Sequence, residues 1–205
     1  MNCIHKVIFL LVPLFIFVSS CELESNLPEP EVGKFVSQRL NDATEIARLK
    51  SFFVKSEGRI EEGSYNWDET TRVVVEGSEV TVFAVPEVSD EKNILGIYEM
   101  PEGTMSAIKL KVTSNGGIAK LNYLTLDNEP LLTVIADSNT EKFSYIYPSH
   151  NGGRIECGQA TIDCVVDSYE NLGWASVGLF IATLVQPQVG AAVAALCAVE
   201  ECIFS

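Results

Sequence analysis

The chain predicts an α+β fold: an N-terminal helix packed on an antiparallel meander of about seven strands, followed by a disulfide-linked C-terminal αα-hairpin. Three observations predict it. Residues 35–57 carry apolar side chains at three- and four-residue spacing. From residue 70 to 147 the pattern changes to short β-branched runs divided by turn residues. Between Asn171 and Val199 no residue is charged, and Cys157, Cys164, Cys197 and Cys202 flank or enter that run.

The helix expected over 35–57 rests on Val36, Leu40, Ala43 and Ala47 along one face, widened by Ile46, Leu49 and Phe53. Arg39, Asp42, Glu45, Arg48 and Lys55 fall largely off that stripe, and Gly58 is a suitable stop. Strands are expected at 71–76, 79–85, 93–99, 105–113, 117–126, 130–136 and 142–147. Gly77-Ser78, Asn115-Gly116-Gly117 and Asp127-Asn128-Glu129 supply turns. Ile108, Leu110 and Val112 alternate with Lys109 and Lys111, which predicts one buried and one solvated face. The connections are too short for parallel crossovers. The 35–57 helix is expected to cover part of one face.

Ser149–Gly153 (SHNGG) ends the strand pattern. Pro187, between Gln186 and Gln188, then divides the uncharged run. Trp174, Val177, Ile181 and Leu184 form one stripe, and Val189, Val193 and Leu196 another. Gly178 with Ala182, and Gly190 with Ala194 and Ala198, place small residues four apart, which lets helix backbones approach closely. These features predict two helices turning at 186–188. A membrane span competes, because the run is long enough. The central polar triplet, the kink Pro187 imposes and the acids at both ends favour the hairpin.

At the N-terminus, a weakly basic head (Met1–Lys6) precedes the apolar run Val7–Val18 and the small residues Ser19 and Ser20. This is the order of an export signal. The run is shorter than the roughly 20 residues that a bilayer core of about 30 Å demands. Cys21 follows directly, and the whole segment resembles the lipobox of bacterial lipoproteins. The resemblance implies cleavage before Cys21, acylation of its sulfur and new α-amine, and membrane lipid as its partner. The expected location is the cell envelope, lipid-anchored at the bacterial outer membrane or cell surface. The chain then divides into a signal (1–20), an acidic Pro-bearing tether (21–34), a helix plus antiparallel β domain (35–148) and a Cys-bearing αα-hairpin tail (149–205).

Charge narrows the function. The chain has 14 Lys and Arg against 28 Asp and Glu, for a net charge of −14. Removal of the signal takes one base, Lys6, and no acid. Nucleic-acid binding needs a basic stripe that displaces counterions from phosphate, and the chain has none. The four late cysteines form an even set, which in an exported chain reads as two disulfides. Zinc knuckles want closer spacing than Cys157 and Cys164 have. A hairpin places Cys164 and Cys197 at its open end with Cys157 and Cys202 just beyond, so nested pairs Cys164–Cys197 and Cys157–Cys202 are expected.

No catalytic set is legible. His150 is the single histidine after the signal, which excludes sites needing two. Asp137-Ser138-Asn139-Thr140-Glu141 alternates oxygen ligands as calcium loops do, but lacks the glycine and distal glutamate of an EF-hand and reads as a polar turn. Glu61-Glu62, Asp68-Glu69 and Glu200-Glu201 are adjacent pairs, and adjacency shows no convergence across a cleft. No cofactor, metal or enzyme activity is expected.

Two further resemblances concern parts of the chain. NWDETTRVVVEGSEVTVFAVPE, with Trp67-Asp68 at its start and Val85-Pro86 near its end, resembles a module of uncharacterised secreted lipoproteins from Bacteroidetes-type bacteria. That family has no established activity to carry over, and Trp67 reads as a core or edge anchor. Gly152-Gly153 followed by a Cys-bearing, Ala/Gly-rich apolar tail resembles a double-glycine bacteriocin precursor, although this tail is acidic where released bacteriocins are usually basic. The expected function is that of a membrane-anchored exported lipoprotein serving as a non-enzymatic binding or interaction module for an unknown protein or small ligand. The alternative is a secreted antagonist or bacteriocin-like protein acting through the apolar tail.

Overall fold

Strands pair strictly in chain order in the computed structural model, which describes residues 35–57, 62–99, 103–140, 142–147, 158–170 and 174–203. The eight strands are β1 (Phe35–Arg39), β2 (Thr71–Val75), β3 (Thr81–Pro86), β4 (Ile94–Glu99), β5 (Met105–Asn115), β6 (Ile118–Leu124), β7 (Pro130–Asp137) and β8 (Lys142–Ile146). Every neighbouring pair is antiparallel. The four helices are α1 (Ala43–Glu57), α2 (Gly158–Glu170), α3 (Trp174–Val185) and α4 (Pro187–Ile203). The expected α+β class and antiparallel meander are therefore present.

The eighth strand is a correction. Residues 35–57 were expected to be one helix, but Phe35–Arg39 extends and pairs with β2 from Phe35↔Val75 to Arg39↔Thr71. Asp42 sets the boundary. Its carboxylate accepts the backbone N–H groups of Thr44 (2.8 Å) and Glu45 (3.2 Å), an N-cap that satisfies helix donors and stops the helix running further back. Val36, which had completed the apparent helical stripe, is 54% exposed.

Both faces of the central strands are buried, which corrects the expectation of one solvated face. On one face, Val73, Val82, Ile94, Leu110, Leu121 and Val134 pack against α2, α3 and α4. On the other, Phe83, Val85, Leu95 and Ile97 pack against Leu49 and Phe53 of α1 and against Tyr65 and Trp67. Lys109 lies on this second face, only 7% exposed, and its ammonium donates to the carbonyl of Leu126. A buried cation needs such a partner. The same face is tied at its rim by Arg48 of α1, which reaches both carboxylate oxygens of Glu99 on β4 (3.0 and 2.8 Å) and both of Glu45 (3.0 and 2.6 Å).

The tail contains the expected pair of helices, with Gln186 alone between α3 and α4, and also α2, which was not expected. The tail is the second layer of the core. Ala191, Ala192, Ala194 and Ala195 of α4 are all at most 2% exposed, the signature of a helix buried on every side. Small residues permit that depth. A Cβ on Gly96 of β4 would sit 2.8 Å from the Ala191 Cβ, and a Cβ on Gly190 would sit 2.5 Å from Thr183 Cγ2. Gly178, expected to serve the same purpose, faces open space. Among the described residues no helix is long and apolar enough to cross a membrane.

Candidate functional site

Two turns and one helix enclose a cleft of about 890 Å³ at the end of the sheet where β5 meets β6 and β7 meets β8. The β5–β6 turn needs its glycines. Gly116 (φ 58°) and Gly117 (φ 83°) both occupy the left-handed region, which side chains with a Cβ rarely adopt. The Gly117 carbonyl then accepts the backbone N–H (2.9 Å) and hydroxyl (3.0 Å) of Ser138 in the β7–β8 turn, so the two turns are stitched together. Asp137 closes that second turn. Its Oδ1 accepts the backbone N–H of Asn139 (2.9 Å) and its side-chain amide (3.0 Å). These bonds hold the Asp137 carboxyl below the usual carboxylate range.

Helix α3 forms the apolar wall. Val177, Phe180, Ile181 and Leu184 line the cleft opposite Ile118 and Phe143. Phe180 and Phe143 meet edge to face, with ring centroids 5.3 Å apart at 67°, a favoured aromatic geometry. The wall is open to solvent: Ile181 is 54% exposed and Ile118 39%. Lys142, at the start of β8, stands exposed at the rim.

A buried chain of hydroxyls holds α3 at this height. Thr183 Oγ1 donates to the Leu179 carbonyl (2.9 Å) and lies 3.1 Å from the Tyr169 hydroxyl of α2. Tyr169 in turn lies 2.9 Å from the hydroxyl of Tyr123 on β6, which also reaches the Gly190 carbonyl at 3.4 Å. Burial pushes both phenols above their ordinary pKa, so they stay neutral donors. Buried polar groups are costly unless joined in this way. The network fixes the spacing between α3 and the sheet and thereby the width of the cleft.

The expected site residues are distributed elsewhere. Cys164 of α2 and Cys197 of α4 form a disulfide, with Cα atoms 5.6 Å apart, so the bridge ties α4 to α2. Cys157 lies outside the described residues, and Cys202 is placed in the last turn of α4 only by its backbone. Cys21, with the signal and tether, also lies outside them, as do His150, Gly152-Gly153, Glu61 and Glu141. Trp67 is a core anchor, 4% exposed, with its ring 5.8 Å from Phe53 and 6.4 Å from Tyr65. Asp68 and Glu69 are exposed on a short 3-10 turn. Among the described residues no group of three acids, cysteines or histidines is placed to hold a metal.

The cleft itself was not anticipated. Ile118, Phe143 and Ile181 come from three distant stretches of sequence, and only the apolar stripe of α3 was legible beforehand. No family model, curated protein or solved structure matches the chain.

Proposed function

We propose that this chain is an exported lipoprotein, anchored through acylated Cys21, whose body is a non-enzymatic module that binds an apolar ligand in the cleft beside α3. The cleft is the observation that carries the reading. Its volume, about 890 Å³, falls in the range of roughly 300–1,000 Å³ typical of small-molecule sites. Apolar walls with a few convergent polar groups are the usual composition of such sites. The lipobox-like order around Cys21 and the acidic tether support attachment to the envelope, with the body held clear of the surface. Action through a released tail is less favoured, because α4 supplies much of the core on its side of the sheet.

Two measurements test the reading separately. Fluorescence of an environment-sensitive apolar dye should rise and saturate on titration with the protein, and Ile181→Glu should abolish the rise while leaving the circular dichroism spectrum intact. An unchanged signal in that variant overturns the cleft as the site. Metabolic labelling with a fatty-acid analogue should mark the wild-type chain and not Cys21→Ala; label retained by the variant overturns the anchor.

A further inference from the structure

We infer that the cleft takes an anionic single-chain amphiphile, of the long-chain fatty acid class, with its carboxylate at Lys142 and its chain along α3. The inference rests on the cleft being a binding site and adds the chemistry of its ligand. Three observations carry it.

The first is the division of the lining. Val177, Phe180, Ile181 and Leu184 on one side and Ile118 and Phe143 on the other make an apolar trough, while Ser114, Asn115, Asp137, Ser138 and Lys142 supply polar groups. An amphiphile matches both parts at once. The second is the state of the charges. Asp137 and Lys142 are register partners across β7 and β8, but no ion pair joins them. The Asp137 carboxylate is turned to its own loop, where Oδ1 accepts both donors of Asn139. The Lys142 ammonium is therefore left at the rim to meet an anion. The third is the exposure of the trough to solvent at Ile118 and Ile181. A site open to solvent accommodates tails of different length, whereas a closed chamber would select a compact ligand. One chain suits a trough with a single wall helix.

The test uses the full chain carrying Cys21→Ala, so that no covalent acyl group competes. Three sixteen-carbon probes that differ only in head group, hexadecanoate, hexadecan-1-ol and hexadecylammonium, compete for a bound fluorescent fatty-acid analogue. Hexadecanoate should displace it at the lowest concentration and hexadecylammonium at the highest. Lys142→Ala should weaken hexadecanoate about three- to five-fold, the size expected of an exposed ion pair, and leave hexadecan-1-ol unchanged. Lys142→Glu should reverse the order of acid and amine. Added salt should shrink the difference. Equal displacement by all three probes, unaltered by either Lys142 variant, overturns the anionic head group and leaves the apolar cleft standing. No displacement by any of them, with Ile181→Glu indistinguishable from the parent, overturns the cleft as well. Self-association that Ile181→Glu abolishes, without probe binding in the parent, assigns this face to a second copy of the chain and also overturns the proposal.

Discussion

Gly190 and Gly178 offer one substitution with opposite expected outcomes. Both are helical, so Gly→Ala at either gains roughly 0.8–1 kcal/mol of helix propensity. At Gly178 nothing lies within 4 Å of the added Cβ. Gly178→Ala should therefore be stabilising by about that amount. At Gly190 the Cβ arrives 2.5 Å from Thr183 Cγ2, 2.8 Å from Leu110 Cδ2 and 3.2 Å from the Tyr123 hydroxyl. Leu110 is fully buried, and Thr183 is held by its bonds to Leu179 and Tyr169. Overpacking of this kind costs about 1–3 kcal/mol. Turning Thr183 aside forfeits a buried hydrogen bond, about 1 kcal/mol more. After the helix gain is subtracted, Gly190→Ala should be destabilising by about 1–3 kcal/mol. One kcal/mol corresponds to roughly 2–4 °C of melting temperature in a chain of this size. Calorimetry should show Gly178→Ala melting above the parent and Gly190→Ala clearly below it. Two shifts of the same sign would refute the close approach of α4 to α3 and β5.

Three further outcomes are expected. Loss of the Cys164–Cys197 bridge, which spans a sequence separation of 33, should cost about 3–4 kcal/mol by the chain-entropy account. Non-reducing peptide mapping should find that pair together with Cys157–Cys202, so that fragments cut near Pro187 stay joined; a Cys157–Cys164 peptide would contradict the nested order. Glu99 gives a pH dependence. Its hydrogen bonds to Arg48 lower its pKa from the ordinary value of 4.5, so their contribution is complete above that value and is lost as pH falls through the lowered one. Because both partners are about a third exposed, Glu99→Gln should cost less than about 1 kcal/mol at neutral pH. In urea titrations the gap between parent and variant should close in strong acid, and a gap that widens there would refute the pairing.

The seven strands from residue 71 onward were legible because short β-branched runs and turn residues agreed along the whole stretch. Phe35–Arg39 was misread because Val36 and Leu40 continued the helical spacing by coincidence. The corrective signal was present in Asp42 and Glu45, three apart at a helix start. Double coverage of the sheet was also written in the sequence. Val82-Phe83-Ala84-Val85 and Ile94-Leu95-Gly96-Ile97 are unbroken small or apolar runs, the mark of strands buried on both faces. Helix α2 could have been found from Ile162, Val165, Val166 and Tyr169, which repeat at three- and four-residue intervals and are all buried. The cleft was beyond reach for a different reason. Its walls meet only after the tail has folded back on the sheet, and no local pattern reports which side of α3 is left uncovered.

The order of the elements along the chain carries a consequence for biogenesis. Successive strands pair with their immediate neighbours, so the meander can assemble hairpin by hairpin as the polypeptide is delivered, and local pairing of this kind is fast. The helices that cover one apolar face follow all eight strands. Until α2, α3 and α4 arrive, Val73, Leu110, Leu121 and Val134 have nothing to shield them, and an uncovered sheet face invites aggregation. A chain that stops after the sheet but before Pro187 therefore lacks α4 and leaves part of that apolar face open, an aggregation-prone fragment rather than a smaller working unit. The Cys164–Cys197 bond cannot close before Cys197 has been made, so oxidation ties α4 to α2 only after all eight strands have been delivered.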